Sequence, residues 1–403
     1  MEEAGIKRLP NTERGTVIVS SVERRLNTGW SFCSSLPCSS SDFGSAGAGL
    51  WRHNPVTSEF VAEMIRVVYA FPPMSTKFAF VGFRHPHIFD MYQRCRDRDD
   101  VEIVACCEEH AETRAELASR DDLEITHESF AQMIAEVDCD VVAVGDAYGL
   151  RADRVIKSLE RGRHVISDKP ICISLSELDQ IESAARDQGR IVGCMLDIRD
   201  VPIFLGLRDL IQQGEIGDVQ AISFDGQHPL NYGKRPMWYF EPGMHGGVIN
   251  DIAVHALDFI PWATGHAIKD LTAARGWNGT VPQHPDFQQC GQGMFTLENG
   301  AGVIFDVSYL TPDSIGYTMP IYWRFTIWGA DGVLEASYNT KQITIFKNGE
   351  DKPRPIDPPA PKPGAYLESF LGEINGGTDL HLSSADVMKA ARISLQLQEM
   401  ANR

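Results

Sequence analysis

No stretch of this chain approaches the roughly 20 consecutive apolar residues that a membrane-spanning helix requires. The first residues show no basic segment followed by an apolar one, as a secretory signal would. The nine cysteines are odd in number and include no C-x-x-C pair, so neither a disulfide framework nor a thiolate zinc site is expected. Cys106, Cys139 and Cys194 lie in or beside apolar runs and read as small buried hydrophobes of a reducing, cytoplasmic compartment. His85-x-His87 could place two imidazoles near each other, but no cysteine or carboxylate pattern completes a metal site, and none is expected. Positive charge is also scarce: 37 Lys and Arg against 55 Asp and Glu give a formal charge of −18. Residues 1–76 carry seven of each sign, so all of the excess lies in 77–403. Such a body repels nucleic acid and anionic membranes, which leaves a small molecule as the expected partner. No internal repeat is evident.

What is present falls into three parts. Residues 1–75 include a Ser- and Gly-rich run, Ser31 to Gly49, with no apolar periodicity. They read as a disordered extension with at most one short helix, Val61 to Ala70, and Met74 as a candidate natural start. Residues 76–198 alternate apolar strands with helix-length amphipathic segments: strands at Phe78–Gly82, Val101–Cys107, Asp140–Gly145, His164–Ser167 and Ile191–Met195. That rhythm predicts βαβ units and a doubly wound parallel sheet. From 199 to 365 one helix, Ile203–Gln213, precedes seven β-rich runs with few helices between them, which predicts a large, mostly antiparallel open sheet. Asp351–Gly364 is proline-rich and reads as an extended linker, and helices over Tyr366–Ile374 and Ser384–Ala401 are expected to pack back on the body. The fold class is α/β.

Three groups of residues suggest chemistry. In open α/β sheets ligands bind at the carboxyl ends of the strands. The first strand ends in Gly82-Phe83-Arg84-His85-Pro86-His87, where a dinucleotide site needs a glycine-rich turn. Only Gly82 matches. Arg84 and His87 take the second and third glycine positions, and Arg84 could serve a phosphate or a substrate carboxylate. Glu108 ends the second strand, where a carboxylate accepts from the ribose hydroxyls of NAD and repels the extra phosphate of NADP. It could equally favour a helix start. The fourth strand ends in Asp168-Lys169-Pro170, with the lysine's backbone held extended by the proline. After Gly246-Gly247, read as a helix, Asp251, His255 and Asp258 are spaced four and three apart on one apolar stripe. A carboxylate beside an imidazole suits acid–base work near neutral pH, and a satisfied structural histidine is the competing reading.

Taken in order, these motifs resemble the glucose–fructose oxidoreductase / inositol dehydrogenase (Gfo/Idh/MocA) family, over residues 77–403. The resemblance implies a Rossmann domain, a C-terminal sheet that makes homo-oligomer contacts (a dimer or tetramer), and transfer of hydride between NAD(P) and a sugar, cyclitol or related alcohol. It implies Lys169, Asp251 and His255 as catalytic residues, with Asp251 orienting His255. Gly82, Phe83, Arg84, His87, Glu108, Asp168 and Lys169 are expected at the cofactor, NAD rather than NADP. Arg199, of the family's Arg-x-x-Pro, is expected at the substrate with Asp251 and His255. Trp238 and Tyr239, with Arg235, join them by position before the Gly-Gly turn. Two departures stand out: the altered glycine turn, and Ala147-Tyr148-Gly149-Leu150-Arg151 where the family has Pro-Asn-x-x-His. Some relatives cleave glycosides with transient NAD oxidation, and one regulator binds NAD without turnover. These are the alternative readings.

Overall fold

The computed structural model describes residues 75–403. The expected extension, its short helix and the Met74 start lie outside the described residues. The amino-terminal sheet contains β1 (Thr76–Val81), β2 (Val101–Cys107), β3 (Val141–Val144), β4 (His164–Ser167) and β5 (Val192–Cys194), all parallel in the order β2-β1-β3-β4-β5. Helices α1 (His87–Arg96), α2 (Ala111–Leu117), α3 (Phe130–Glu136), α4 (Tyr148–Glu160) and α5 (Leu175–Gln188) supply the connections. Phe78, Phe80, Val142, Val144, Val165 and Ile166 are fully buried, as the near-continuous apolar strands of a sheet covered on both faces require. The order reverses between β1 and β3, so a crevice opens there at the carboxyl ends. Helix α5 begins with a capping box, Ser174 with Glu177, and stops at Gly189, whose φ of 60° suits glycine.

The second sheet has eight strands in the order β13-β12-β11-β10-β6-β9-β8-β7. In chain order they are β6 (Val219–Pro229), β7 (Ile268–Trp277), β8 (Cys290–Leu297), β9 (Gly302–Thr311), β10 (Arg324–Gly329), β11 (Gly332–Ser337), β12 (Ile343–Lys347) and β13 (Arg354–Ile356). Neighbours are antiparallel except β6 and β9, which pair in parallel at the centre. One face is covered by α6 (Pro202–Gln212) and α7 (Val254–Thr264), which bury Phe224, Phe305, Phe325 and Leu334. The other face leaves Met294, Ile304, Trp328 and Phe346 exposed. The proline-rich segment is not only a linker. Its Arg354–Ile356 is an edge strand, where Pro355 is tolerated because an edge needs only half the ladder's bonds.

Helices α8 (Ala365–Ile374) and α9 (Ser384–Ala401) close the described chain. Tyr366, Phe370 and Leu395 join the core of the parallel sheet, while Leu397 joins that of the large sheet. Gln398 of α9 accepts from the Ile249 N–H at 3.0 Å, just after Gly246-Gly247. A Cβ on Gly247, whose φ is 94°, would lie 2.1 Å from the Gln398 side chain. Gly247→Ala therefore combines backbone strain with a clash, and should cost about 2–4 kcal/mol in the urea unfolding free energy.

Candidate active site

The turn after β1 is shaped by Gly82, with φ 77° and a path so close to the next loop that a Cβ would sit 2.4 Å from Asp146 Cβ. Phe83 is buried against Phe80, Phe89 and Tyr92, and its N–H donates to Glu108 Oε2 at 2.6 Å. Glu108 also accepts from the His110 N–H at 2.7 Å. Burial raises its carboxyl above the ordinary value, against the pull of these two N–H donors. Its first task is thus to tie the β1 turn to the end of β2. Arg84 Nε donates to Asp146 Oδ1 at 2.7 Å, which holds the guanidinium against the end of β3. A dinucleotide needs this tight turn, an acidic end on β2 and a free helix start. No side chain caps α1, although the Ile88 and Phe89 N–H groups already reach the His85 and Pro86 carbonyls at 3.4 and 3.2 Å, so the His87 N–H is the one left for an anion. These residues fit the group, although two of the three usual glycines are replaced.

Asp168 is fully buried. Arg151 Nη2 donates to its Oδ2 at 2.8 Å, His85 Nδ1 makes a very close contact with the same oxygen, and His87 Nδ1 lies 3.2 Å from Oδ1. Burial alone would raise this carboxyl, but Arg151, His85 and His87 together hold it well below the usual carboxylate range. Set against the expectation that it meets a cofactor, the Asp168 carboxylate is 0% exposed and held by Arg151, His85 and His87. Arg151, which takes the place of the family's histidine, is also fully buried and donates to the Asp146 and Pro170 carbonyls at 2.8 and 2.9 Å. Sequence reasoning missed it and Tyr148, though both sit in the departure from Pro-Asn-x-x-His.

Lys169 projects from the end of β4, and its Nζ donates to Asp251 Oδ1 at 2.7 Å and to the Asp251 carbonyl at 2.9 Å. The Asp251 carboxylate also accepts from Tyr148 Oη at 2.9 Å and from Tyr309 Oη, and it lies 3.5 Å from His245 Nε2. Burial would raise it, but Lys169 and His245 keep it well below the usual range. Asp251 therefore does not orient His255. Residues Ile249–Ala253 form a π turn before α7, and its wider winding breaks the 3.6-residue register that placed the two side chains as partners. His255 stays buried with no hydrogen bond to Nδ1, whose nearest carboxylate is Asp197 at 3.9 Å. Burial, then Lys169, pushes its pKa well below the ordinary value, so the ring is neutral.

Lys169, Asp251, His255, His85, His87 and Tyr239 line one cavity of about 350 Å³, walled further by Arg235 and the aromatic rings of Tyr309, Tyr317, Tyr322, Trp323 and Tyr338. Three expected substrate contacts are corrected or refined. Arg199 is 2% exposed and forms a two-pronged ion pair with Asp258, at 2.7 and 2.5 Å, so neither residue reaches this cavity. Trp238 is buried behind the wall, its ring 4.9 Å from that of Tyr148. Tyr239 does face the cavity, stacked under the Arg235 guanidinium at 4.5 Å.

Residues 76–195 match the model of an oxidoreductase family with an NAD-binding Rossmann fold, and residues 204–335 match the GFO/IDH/MocA C-terminal domain. The chain is 29% identical over 161 residues to a 1,5-anhydro-D-fructose reductase from Ensifer adhaerens, covering 39% of this chain and 47% of that protein. It is 24% identical over 200 residues to a levoglucosan dehydrogenase from Pseudarthrobacter phenanthrenivorans, covering 48% and 50%. The chain thus spans about half the length of the curated relatives it matches. The fold matches an inositol dehydrogenase homolog complexed with NAD+ from Azotobacter vinelandii, at TM-score 0.67 and 16% identity, covering 82% of this chain and 96% of that one. An aldose-aldose oxidoreductase from Caulobacter crescentus, complexed with glycerol, gives TM-score 0.67 at 18% identity, with 81% and 98% covered.

Breaking the Arg199–Asp258 pair strands a buried carboxylate. Arg199→Met should lower the unfolding free energy by about 3–5 kcal/mol in urea titration. Its KM for any substrate turned over should stay at the wild-type value, which a substrate-contacting arginine would not allow.

Proposed function

This chain belongs to the GFO/IDH/MocA oxidoreductase family, and we propose that it oxidises a secondary alcohol of a sugar, cyclitol or related polyol, reversibly, with NAD. The observation that carries this reading is the Lys169 ammonium, fixed by Asp251 at the end of β4 and sharing one aromatic-walled cavity with the neutral, unpartnered His255. Aromatic faces suit the carbon-bound hydrogens of a ring alcohol, and Lys169 and Arg235 supply polar contacts among them. The named activities of the matched relatives, on anhydrofructose and levoglucosan, are of the same chemical class. A nicotinamide ring, when bound, supplies the acceptor of the two electrons and the carbon-bound hydrogen.

The chain's own residues handle the proton. Lys169 has two N–H bonds committed to Asp251, which leaves one for the alcohol oxygen and for the negative charge that develops there. His255, neutral and lining the same cavity, is suited to accept the hydroxyl proton. Asp251 positions the lysine rather than the histidine, with Tyr148 and Tyr309 steadying the carboxylate. Gly82, Phe83 and the start of α1 would hold the dinucleotide. Glu108 favours NAD, because a buried carboxylate at the end of β2 leaves no room for a further negative charge.

Lys169→Met and His255→Gln should each lower kcat/KM by about 10²–10⁴-fold in an NADH absorbance assay with polyols and sugars. Wild-type turnover in both variants would remove the assignment. NAD binding measured by calorimetry without any turnover of the unmodified chain would favour a sensor instead.

The expected homo-oligomer has a natural seat. Met294 and Ile304 face each other across β8 and β9, and Trp328 and Phe346 flank Val333 on the same face; all four rings and chains are exposed. Two such exposed apolar groups on one sheet face suit an association surface. We expect wild-type mass by light scattering to be a multiple of the chain mass, and Ile304→Glu with Trp328→Glu to reduce it to that of one chain.

A further inference from the structure

Hydrogen counting around Tyr148 exposes a gap in the site. Its Oη lies 2.9 Å from Asp251 Oδ1, 2.9 Å from Tyr239 Oη and 3.1 Å from His85 Nε2. A phenol carries one proton, and the Asp251 carboxylate, ion-paired to Lys169, can only accept. Tyr148 must therefore donate to Asp251 and accept from its other neighbours. It follows that His85 carries its proton on Nε2. On the far side of the ring, His85 Nδ1 closes on Asp168 Oδ2, a second acceptor. A neutral imidazole protonated at Nε2 has a bare lone pair at Nδ1, and two lone pairs at that range repel. Positive charge has to lie between them.

A second ring proton would supply it, making His85 an imidazolium 4% exposed to solvent. The alternative is a cation, and a third ligand is in place for one. His87 Nδ1 lies 3.2 Å from Asp168 Oδ1, its ring centroid 4.5 Å from that of His85. One ligand atom each from His85, His87 and Asp168 lie within 4.8 Å of one another. Two imidazole nitrogens and a carboxylate oxygen form a donor set for zinc and its first-row neighbours. The outer contacts are those such ligands usually have: the other N–H of His85 goes to Tyr148, and Arg151 donates to the carboxylate.

We propose that His85, His87 and Asp168 bind a divalent first-row transition cation of the zinc class at the floor of the cleft. The fold supplies the carboxylate that the His-x-His motif lacks, from 81 positions beyond His87. Three protein ligands leave a position open. His85 and His87 line the same cavity as Lys169 and His255, so that position takes an oxygen of a small polar ligand. The site adjoins the start of α1, which the dehydrogenase reading gives to the dinucleotide, but metal binding is measurable without turnover.

The test is a titration of the full chain, stripped with a chelator, using Co²⁺ alone and following its visible absorption. One equivalent of Co²⁺ should bind per chain and be displaced by Zn²⁺. His87→Ala should weaken binding by more than about tenfold. The His87 side chain is 39% exposed, so this variant should keep the wild-type circular dichroism and melting temperature. Nitrogen-15 spectra of the metal-free chain, labelled at histidine, give a second measurement that needs no variant. On adding Zn²⁺, the shift of His85 Nδ1 should move to that of a metal-bound nitrogen. Absence of the cobalt band, an affinity unchanged in His87→Ala, or a His85 ring with both nitrogens protonated at neutral pH and unmoved by Zn²⁺ would each overturn the proposal.

Discussion

The buried pair of Arg151 and Asp168 is the constraint on which the site depends. Neither side chain reaches solvent, and an isolated charge in that position would cost several kcal/mol. The guanidinium offers a planar fork, and each arm is used: on the Asp146 carbonyl, on the Pro170 carbonyl and on Asp168. Those groups belong to the loops that leave β3 and β4. One side chain of α4 therefore fixes the loop ends on either side of Lys169, and a lysine in its place would lack the geometry to do so.

From there the contacts form a ring. Asp168 meets His85, His85 meets Tyr148, Tyr148 meets Asp251, and Asp251 holds Lys169, the sequence neighbour of Asp168. Asp251 comes from the π turn that precedes α7, and the others come from the parallel-sheet half. The lysine is thus aimed by a carboxylate from the opposite half of the molecule. Such a network is stiff only if every member is satisfied.

Much of this was legible in the chain. The bounds of α1, β2, β4 and α9 follow from apolar period and end signals, because local sequence dominates where a strand is wholly buried or a helix is amphipathic. Helix α4 begins at Tyr148, three residues before the Arg151 that its periodicity suggests, since Tyr148 turns inward to the hub. The strand Arg354–Ile356 hides in a proline-rich run, as an edge partner is visible only once β12 is beside it. The parallel pairing of β6 and β9 was equally unreadable, because strand direction depends on topology and not on composition.

The sequence by itself determined the two-sheet α/β architecture, the glycine turn, the acidic end of β2 and the ends of the strands where chemistry gathers. These depend on short-range pattern. Only the tertiary structure decided which side chains meet: Asp251 with Lys169 and not His255, Arg199 with Asp258 and not the cleft, Asp168 with two histidines and Arg151. The reason is that a buried charge takes whichever partner the packed halves bring within about 3 Å. That distance is set by the fold, across separations of 17 to 83 positions in these contacts.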